Sequence, residues 1–560
     1  MTEWDVLVAG GGPAGAVCAI ELSRRGRRVL LLEAEHPPRY RVGESLSPSA
    51  CAALSGYDVD LTSAGFVAKS GATLVWGEHG TFSTYYPSSS AWQVRRDELD
   101  ARLLDRARSA GVRVQTGARV QRVRFDGDRV SGVAWVTADG DSAEAEPRWL
   151  IDATGRDALL ARDRGLLHEP GLRRDEPALD RQAVWAYWRG GRRLPGRAAG
   201  NTLLVGGDPA WWYLPVGGDE DLIGVGLVGA PPAPGTDPTT AYLASLAGVP
   251  LLRALLTAAE QVGPVRWTAA PVQTAGRLCG PNWTLVGDAA GFVDPLLTPG
   301  VQVAVESGAL AGRTVHASLD RPEAAGPLGR EYDRRFRRQL ETFRWLATNL
   351  YAAAGPLPAE PPPAELLAAI PDGDEQADRL RFMSVISGLP VGELPALLGG
   401  YLQGRGAAGR YGAAPPVFGE TEGFAFLSWL LRRPGRDGPP LESPDLTDAA
   451  TVRLATGAGV VELALPPDSV DGAVRQLRVA HNRAGDRFLL TTELAGLLDL
   501  LAEERSYPEL ARRFAALVDA ELDRDAFRRW LQLLSRHGLV ACRTVAQPAD
   551  REPAAAARQY

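Results

Sequence analysis

Residues 5–33 read DVLVAGGGPAGAVCAIELSRRGRRVLLLE, and this stretch decides the fold. A short apolar run leads into three glycines with GxGxxG spacing, and a segment that favours a helix follows. A second apolar run, RRVLLLE, then ends in an acid. Strand, glycine turn, helix and strand in this order predict a parallel βαβ unit at the start of the chain.

Each part of this pattern has a physical role. Gly10 makes the tight turn, Gly12 lets the backbone approach a pyrophosphate, and Gly15 permits close packing of the helix. Glu33 can bind the ribose hydroxyls of an adenosine, while the helix N-terminus faces the phosphates. The pattern predicts a Rossmann-type dinucleotide-binding domain, but by itself it does not choose FAD over NAD.

The composition excludes several classes of protein. A chain of 560 residues suggests two or three domains, and no apolar stretch is long enough to predict a membrane span. The net charge of -7 works against binding to nucleic acid. The four cysteines are far apart, without a CxxC pair or a neighbouring His, so we expect neither a metal site nor disulfides. The start shows no secretory signal, and a cytoplasmic protein without a membrane partner is expected.

The chain is predicted to have three parts. Residues 1–352 alternate strand-like and helical stretches, which favours an α/β domain with an antiparallel sheet on the substrate side. Residues 353–440 begin with a segment rich in Pro and Ala and continue as a mainly helical linker region. Residues 441–560 contain short apolar runs, three helix-like segments and a final strand. That last order resembles a winged helix or the small domain that grips leader peptides in peptide-modifying systems.

Three later segments resemble the shared motifs of the flavoprotein monooxygenase superfamily. Residues 152–156, DATGR, look like its strand-end turn, and WTLVGDAAGFVDP places Asp288 where that superfamily binds the ribityl chain. Arg96 matches an arginine near the cofactor, although a surface salt bridge on an amphipathic helix is an alternative interpretation. The resemblance implies FAD, with a helix near Val301 pointing its positive end at the flavin.

Two further segments resemble the flavin-dependent halogenases. Residues 39–48, RYRVGESLSP, are similar to a segment of these enzymes and of prenyl-type flavin reductases. This similarity implies that Arg41, Gly43 and Glu44 contact the cofactor. Residues 67–77, VAKSGATLVWG, resemble the halogenase pattern of a lysine followed by a Gly-rich strand, which makes Lys69 the candidate catalytic lysine.

The composition supports Lys69 independently of this resemblance. It is the only lysine in the chain, whereas the other sixty basic residues are arginines. Arginine replaces lysine where only charge is needed, but it cannot act as a compact amine that loses its proton when buried. We therefore expect Lys69 to occupy a chemically special place. The alternative is a lysine retained by chance on the surface.

Residues 292–301, FVDPLLTPGV, resemble the family's Phe, Pro, Ser, Gly spacing beside the flavin. This similarity implies that Pro295, Gly300 and Val301 contact the cofactor. It also implies that Thr298 and Gly300 bind the halide, with threonine in the place of the usual serine.

The match to the family fails at several positions. Pro299 lies where family members offer a backbone N–H to the halide, and proline has none to offer. The WxWxIP signature appears only as AWWYLP at residues 210–215, where Ala210 and Leu214 differ from it. Core packing by the aromatic residues of this strand is the alternative to a role in gating. Leu297 stands where free-tryptophan halogenases have a glutamate.

The resemblance implies an FAD-dependent halogenase that acts on a phenol, a pyrrole or a carrier- or peptide-tethered substrate. Its cofactors would be FAD reduced by a separate flavin reductase, molecular oxygen, and chloride or bromide. Hypohalous acid would reach Lys69, which holds it beside the substrate, so that placement decides the position of attack.

Three other functions stay open. A monooxygenase that hydroxylates an aromatic or tethered substrate without halide is favoured by Pro299 and the altered tryptophan motif. A flavin dehydrogenase or prenyl-type reductase shares two motifs but has no evident use for Lys69. In a third interpretation the chain is mainly a binding protein, with the C-terminal domain recognising a peptide or carrier.

Overall fold

The computed structural model describes most of residues 4–352 and part of residues 450–544. The described ranges are 4–36, 40–62, 65–76, 81–85, 91–168, 181–217, 221–230, 235–270, 273–294, 296, 300–352, 450–455, 459–465, 475–481, 487–489, 497–518, 527–528, 531, 535 and 540–544. The chain divides into two compact units, the first holding the described residues up to 352 and the second those from 450 onward. The predicted helical region 353–440 lies outside the described residues, and the predicted domain boundaries stay predictions.

The first unit combines helices with parallel and antiparallel strands. Its helices are α1 (Pro13–Ser23), α2 (Pro48–Ser55), α3 (Arg96–Ser109), α4 (Leu159–Asp163), α5 (Pro238–Ala247), α6 (Pro250–Leu255), α7 (Gly300–Asp320) and α8 (Ala325–Ala352). Its strands are β1 (Val6–Ala9), β2 (Val29–Glu33), β3 (Ser45–Leu46), β4 (Val67–Lys69), β5 (Gly71–Val75), β6 (Thr81–Tyr85), β7 (Ala91–Gln93), β8 (Arg113–Thr116), β9 (Ala118–Asp126), β10 (Arg129–Thr137), β11 (Ser142–Ala145), β12 (Trp149–Asp152), β13 (Leu167–His168), β14 (Arg181–Arg189), β15 (Thr202–Val205), β16 (Ala210–Pro215), β17 (Leu222–Gly229), β18 (Glu260–Ala270), β19 (Gln273–Ala275), β20 (Trp283–Leu285) and β21 (Gly291–Phe292).

A parallel sheet of five strands carries the N-terminal part of this unit. Its order is β20-β12-β1-β2-β8, and every pairing in it is parallel. All residues of β1 and β2 are buried, which explains why both strands are nearly continuous apolar runs rather than alternating ones. The predicted Rossmann-type βαβ unit over residues 5–33 is confirmed, and the carboxyl ends of the five strands meet along one edge.

A second sheet of seven strands forms the expected antiparallel addition. Its order is β18-β14-β17-β16-β15-β5-β6, and all neighbours are antiparallel except β15 and β5. The AWWYLP strand, β16, is buried along its whole length. Trp212 belongs to the main hydrophobic core, whereas Trp211 and Tyr213 belong to a second core on the other face of the sheet. The aromatic residues of β16 therefore pack both cores, as the structural alternative expected.

A small sheet of order β3-β7-β4 places Ser45 and Lys69 on the two strands that flank β7. Gln93 of β7 pairs with Ser45 on one side and with Val67 on the other. Residues that are far apart in the sequence are thus brought into one polar cluster, which is described below.

The second unit contains β22 (Ala450–Leu454), β23 (Gly459–Leu465), β24 (Arg475–His481), β25 (Arg487–Leu489), β26 (Arg505–Ser506), β27 (Val540–Thr544) and helix α9 (Tyr507–Val518). Two antiparallel sheets have the orders β23-β24-β25 and β26-β22-β27. Helix α9 begins directly after Ser506. Most of the third predicted helix lies outside the described residues, and the winged-helix assignment stays a prediction.

Within the described ranges, no helix combines the length and the apolar character that crossing a membrane requires. The same residues contain no cluster of three or more His, Cys, Asp or Glu side chains that could hold a metal ion.

Candidate active site

A cleft of about 570 Å³ opens along the carboxyl edge of the parallel sheet. Its volume lies in the range of sites that bind cofactors and small ligands. It is lined by most of the residues that the sequence singles out for cofactor binding: Gly10, Gly12, Glu33, Arg41, Gly43, Arg96, Asp288, Gly300 and Val301. The structure thus brings these separate motifs to one site.

The glycine turn between β1 and α1 forms one wall of the cleft. Gly10 has a φ of +108°, and a Cβ built on it would lie 2.2 Å from the carbonyl oxygen of Ala153. A Cβ on Gly15 would lie 1.9 Å from the carbonyl oxygen of Gly10, so Gly15 packs the helix against the turn rather than lining the cleft. A Cβ on Gly12 would meet nothing within 4 Å. Gly12 therefore borders open space, as a residue approached by a phosphate should.

Glu33 is held in one orientation at the end of β2. Its Oε2 accepts a hydrogen bond from the backbone N–H of Gly11 at 2.7 Å, and its Oε1 accepts one from Glu35 at 2.9 Å. The side chain is 4% exposed. Because a carboxylate oxygen can accept a second hydrogen bond, the fixed carboxylate can still receive ribose hydroxyls.

Arg96 lies at the start of α3 and is 8% exposed. Its Nε and Nη2 donate to the carboxylate of Asp100 at 3.1 and 3.2 Å, and its Nη1 donates to the carbonyl oxygen of Val42 at 2.7 Å. The arginine and its aspartate are four residues apart on one helix, but the pair is buried, so the interpretation as a surface salt bridge is wrong. Arg96 ties α3 to the segment that carries Gly43.

Asp288 follows β20 and lines the cleft close to two arginines. Burial raises the pKa of its carboxyl, while the charges of Arg156 and Arg96 act in the opposite direction. The guanidinium of Arg156 lies 5.6 Å from the centre of the Phe292 ring, and both residues also line the cleft. A group with hydroxyls, such as a ribityl chain, can use Asp288 as an acceptor without adding charge.

Arg41 and Glu44 take different positions from each other. Arg41 lines the cleft and pairs with Glu35 at 2.6 Å. Glu44 does not line the cleft, because its carboxylate accepts hydrogen bonds from the hydroxyl of Tyr187 at 2.7 Å and from the N–H of Gly43 at 3.2 Å. Burial raises the pKa of Glu44. Its contribution is to hold the Gly43 turn.

Helix α7 begins at Gly300, as the sequence predicts for the region near Val301. Gly300 and Val301 both line the cleft, so the N-terminal end of the helix is part of its wall. The predicted contacts of Pro295 and Thr298 lie outside the described residues, as does the departure at Pro299.

FAD fits this donor set. The cleft offers a glycine turn with open space at Gly12, a fixed acid at the end of β2, a second acid after β20 and the start of a long helix. These features lie in series along the sheet edge, as an extended dinucleotide requires. Several lining residues carried no sequence signal, namely Ala118, Arg119, Val120, Thr268 and Gln273.

Lys69 is 5% exposed, so the alternative of a lysine retained by chance on the surface is wrong. Its Nζ donates to the hydroxyl of Ser45 at 2.7 Å. The Ser45 hydroxyl contacts that of Thr202 at 2.9 Å, and Thr202 accepts from Nε2 of Gln93 at 2.9 Å. This lysine network of Lys69, Ser45, Thr202 and Gln93 is buried throughout, and sequence analysis missed its last three members.

Lys69 does not itself line the cofactor cleft, but a short piece of chain connects the two. Gly43 lines the cleft, and Ser45, two residues later, binds the amine. Two extended residues span at most about 7 Å, so the Ser45 backbone lies that close to the cleft wall. The lysine is therefore a near neighbour of the cofactor cleft rather than a remote residue.

The comparisons with known proteins place this site in a family. The family model of FAD dependent oxidoreductases matches residues 5–176. Flavin-dependent halogenase armH3 of Armillaria mellea is 31% identical over 345 residues, which cover 56% of this chain and 68% of the relative. The chain belongs to the flavin-dependent halogenases. The chain spans about two thirds of the length of that relative.

Two further members extend this comparison. The 1H-pyrrole-2-carbonyl-[peptidyl-carrier protein] brominase of Pseudoalteromonas luteoviolacea (strain 2ta16) is 28% identical, covering 57% of this chain and 78% of the relative. The crystal structure of CmlS, a flavin-dependent halogenase, has a TM-score of 0.67 at 23% identity and covers 97% of each chain. The structural likeness to CmlS supports the fold. As a member of the flavin-dependent halogenases, the chain is an enzyme with FAD-dependent chemistry.

Proposed function

We propose that this halogenase transfers chlorine or bromine to an electron-rich substrate through Lys69. The main support for this proposal is that the only lysine of the chain is buried and hydrogen bonded beside the cofactor cleft. Bound FAD, reduced by a separate flavin reductase, would supply with oxygen the oxidising equivalent that turns halide into hypohalous acid. The chain's own residues hold, orient and deliver that acid.

Lys69 can hold the halogen in two ways. As an ammonium it donates a hydrogen bond to hypohalous acid and polarises the halogen. As an amine its nitrogen attacks the halogen, the O–halogen bond breaks, and the hydroxide leaves as water with a proton from nitrogen. The substrate carbon then takes the halogen as the N–halogen bond breaks and its electron pair returns to nitrogen. The ring carbon loses a proton and the nitrogen gains one, which restores the amine. Arginine stays protonated, so it offers no neutral nitrogen to attack the halogen, and its planar guanidinium is larger than a compact amine.

Ser45 positions the amine, because its oxygen accepts one N–H of Lys69 and so fixes the direction of that bond. Thr202 and Gln93 in turn fix the Ser45 hydroxyl. A well-placed amine decides which carbon meets the halogen, so regioselectivity follows from geometry.

Hydroxylation without halide is the second candidate. It is favoured by Pro299, which has no N–H for a halide, and by Ala210 in place of the first tryptophan of the family signature. In this case Lys69 would place an oxygen donor instead of a halogen donor.

The test supplies chemically reduced FAD and oxygen, and compares chloride, bromide and no halide. The protein is wild type, Lys69→Ala, Lys69→Met or Lys69→Arg, with Arg253→Met as an exposed control on α6. We expect halide-dependent product from wild type and the control, and a loss of about 100-fold or more in all three Lys69 variants. FAD binding, followed by its absorbance, should be unchanged in Lys69→Met.

Product that forms without halide selects hydroxylation, and full activity of Lys69→Met contradicts the role of the lysine. Because the chain has a single lysine, a quenched reaction can also be digested with a protease. Mass spectrometry of the peptide that contains Lys69 then shows whether one halogen has been added.

The same assay with phenols, pyrroles and their carrier- or peptide-tethered forms identifies the substrate class. We infer that the second unit docks a substrate-bearing carrier or peptide, since the three-helix unit with a strand edge that the sequence predicts would offer a surface for an extended partner. The similarity to a brominase named for a carrier-bound pyrrole supports the tethered class. A higher kcat/KM for tethered substrate is expected, and equal values for tethered and free substrate would contradict docking.

A further inference from the structure

A buried amide group in the cofactor cleft has no acceptor. Gln273 lies on β19 and is 8% exposed, and within the described part of the chain its Nε2 has no hydrogen-bond partner. Folding has removed this N–H from water without giving it a protein acceptor, which destabilises the folded state. Such atoms are rare in native proteins and call for a ligand or an ordered water.

Gln273 lines the cleft, together with residues of the neighbouring strand. In the pairing of β19 with β21, Gln273 lies opposite Phe292, which also lines the cleft. Asp294 is a cleft residue just beyond, but its carboxylate already accepts from the hydroxyl of Tyr351 and from the N–H of Leu296, both at 2.8 Å. The side-chain amide of Gln273 is therefore a hydrogen-bond donor at the cleft surface that has no acceptor among the described residues.

The order of strands shows which end of the cleft this is. Glu33 ends β2 and Asp288 follows β20, and three strand spacings of about 4.8 Å separate those two strands, or roughly 14 Å. The turn at Gly12 lies between them. Strand β21 begins three residues after Asp288, so Gln273 belongs to the end of the cleft away from the ribose-binding acid.

The cofactor groups follow the same order. With the adenosine at Glu33 and the pyrophosphate at Gly12, the ring system of FAD reaches the end where Gln273 lies. The heterocyclic part of that ring has nitrogen and carbonyl oxygen acceptors. A primary amide N–H is a donor that matches them.

We propose that Nε2 of Gln273 donates a hydrogen bond to an acceptor on the heterocyclic edge of the flavin ring. Two-electron reduction places additional electron density on these acceptors, so the bond is stronger to reduced than to oxidised FAD. Gln273 thus tunes the reduction potential and the preference for reduced cofactor. This inference rests on FAD binding alone and does not depend on halide, substrate or Lys69.

The experiment uses the full chain reconstituted with FAD. The variants are Gln273→Leu and Gln273→Met, which keep the size without a donor, and Gln273→Glu, which keeps the shape but presents no amide N–H. Gln261→Leu, on the exposed part of β18, is the matched control. The midpoint potential of bound FAD and the dissociation constants of oxidised and reduced FAD are measured for each.

The three Gln273 variants should lose affinity for reduced FAD about tenfold more than for oxidised FAD. For a two-electron couple this ratio equals a fall in potential of about 30 mV. The control should keep the wild-type potential. Without cofactor, Gln273→Leu should be at least as stable as wild type, because it removes an unsatisfied polar group.

An unchanged potential in a folded Gln273→Leu or Gln273→Met protein would overturn the proposal and leave only water as the partner of the amide. A fall in Gln273→Leu without one in Gln273→Glu would also overturn it, since the donor would then be irrelevant. If one variant does not fold, the side-chain amide signal of wild-type Gln273 in nitrogen-15 NMR decides: no shift upon FAD addition contradicts the contact. None of these results changes if the enzyme hydroxylates instead of halogenating.

Discussion

Lys69 and Arg96 are two buried basic residues with different hydrogen-bond partners. Arg96 is neutralised by Asp100 in a two-point pair, which suits a residue that fixes the backbone beside the cofactor. Among the hydrogen bonds described above, Lys69 instead donates to a hydroxyl, that of Ser45. The Ser45 hydroxyl accepts from the amine and fixes the direction of one N–H bond.

Ser45→Ala tests this positioning. Loss of one hydrogen bond to the amine, worth about 1.5 kcal/mol, should lower the rate of substrate halogenation about tenfold. Free hypohalous acid, measured with an added trap, should rise because the halogen is no longer held beside the substrate. Ser55→Ala, at the exposed end of α2, is the control. A variant with normal rate and no increase in trapped acid would show that Ser45 only fills space.

At the scale of elements, the turn between β1 and α1 must both pack the helix on the sheet and leave room for a ligand. Different glycines meet these two requirements. Gly15 and Gly10 lie where backbones nearly touch, and they serve the packing of the helix on the sheet. Gly12 borders open space at the helix N-terminus and serves the ligand. The same motif therefore contains residues whose replacement should act on stability and others whose replacement should act on binding.

Gly15→Ala and Gly12→Ala form a matched pair. A methyl group at position 15 would lie 1.9 Å from the carbonyl oxygen of Gly10, so the apo protein should be destabilised by about 3 kcal/mol or more. At position 12 the methyl meets no protein atom, so the melting temperature of the apo protein should stay close to wild type while FAD affinity falls. Calorimetry and flavin titration measure the two effects. A normal FAD affinity in Gly12→Ala would exclude the phosphates from that turn.

At the scale of the whole molecule, one acid that lines the cofactor cleft and two that lie next to lining residues are in surroundings that disfavour their charge. Burial raises the pKa values of Glu44, Asp152 and Asp288. A carboxyl with a raised pKa in the folded state binds its proton more tightly than in the unfolded chain. Its contribution to stability is therefore present below the ordinary pKa near 4 and is lost as the pH rises through the raised value.

Asp288→Asn should reduce the loss of folding stability that occurs as the pH rises. At neutral pH the apo variant should have a higher free energy of unfolding than wild type, and below about pH 4 the two should converge. Asp139→Asn, which removes an exposed carboxylate, should show no such trend. Denaturant unfolding at a series of pH values measures the difference. A variant that is less stable than wild type at neutral pH would mean that Arg156 and Arg96 outweigh the burial of Asp288.

Prediction from sequence was successful where the cause is local. The βαβ unit over residues 5–33, the roles of Gly10 and Gly15, and the start of α7 near Val301 follow from spacing and backbone sterics. Arg96 lines the cleft, but its helical spacing to Asp100 does not show whether the pair is buried or exposed. Glu44 was assigned to the cofactor, whereas its side chain binds Tyr187, more than a hundred residues away in the sequence.

Residue types and spacing alone establish that residues 5–33 form a βαβ unit of the dinucleotide-binding type and that Lys69 is the one lysine side chain. Both conclusions depend on residue type and short spacing, which act through local geometry. Only the tertiary structure decided that Lys69 is buried against Ser45 and Thr202, and that Gln273 presents an unused donor to the cleft. Both features depend on strands that are distant in the sequence, and the spacing of neighbouring residues does not show which distant strands pair or which polar side chains they bury together.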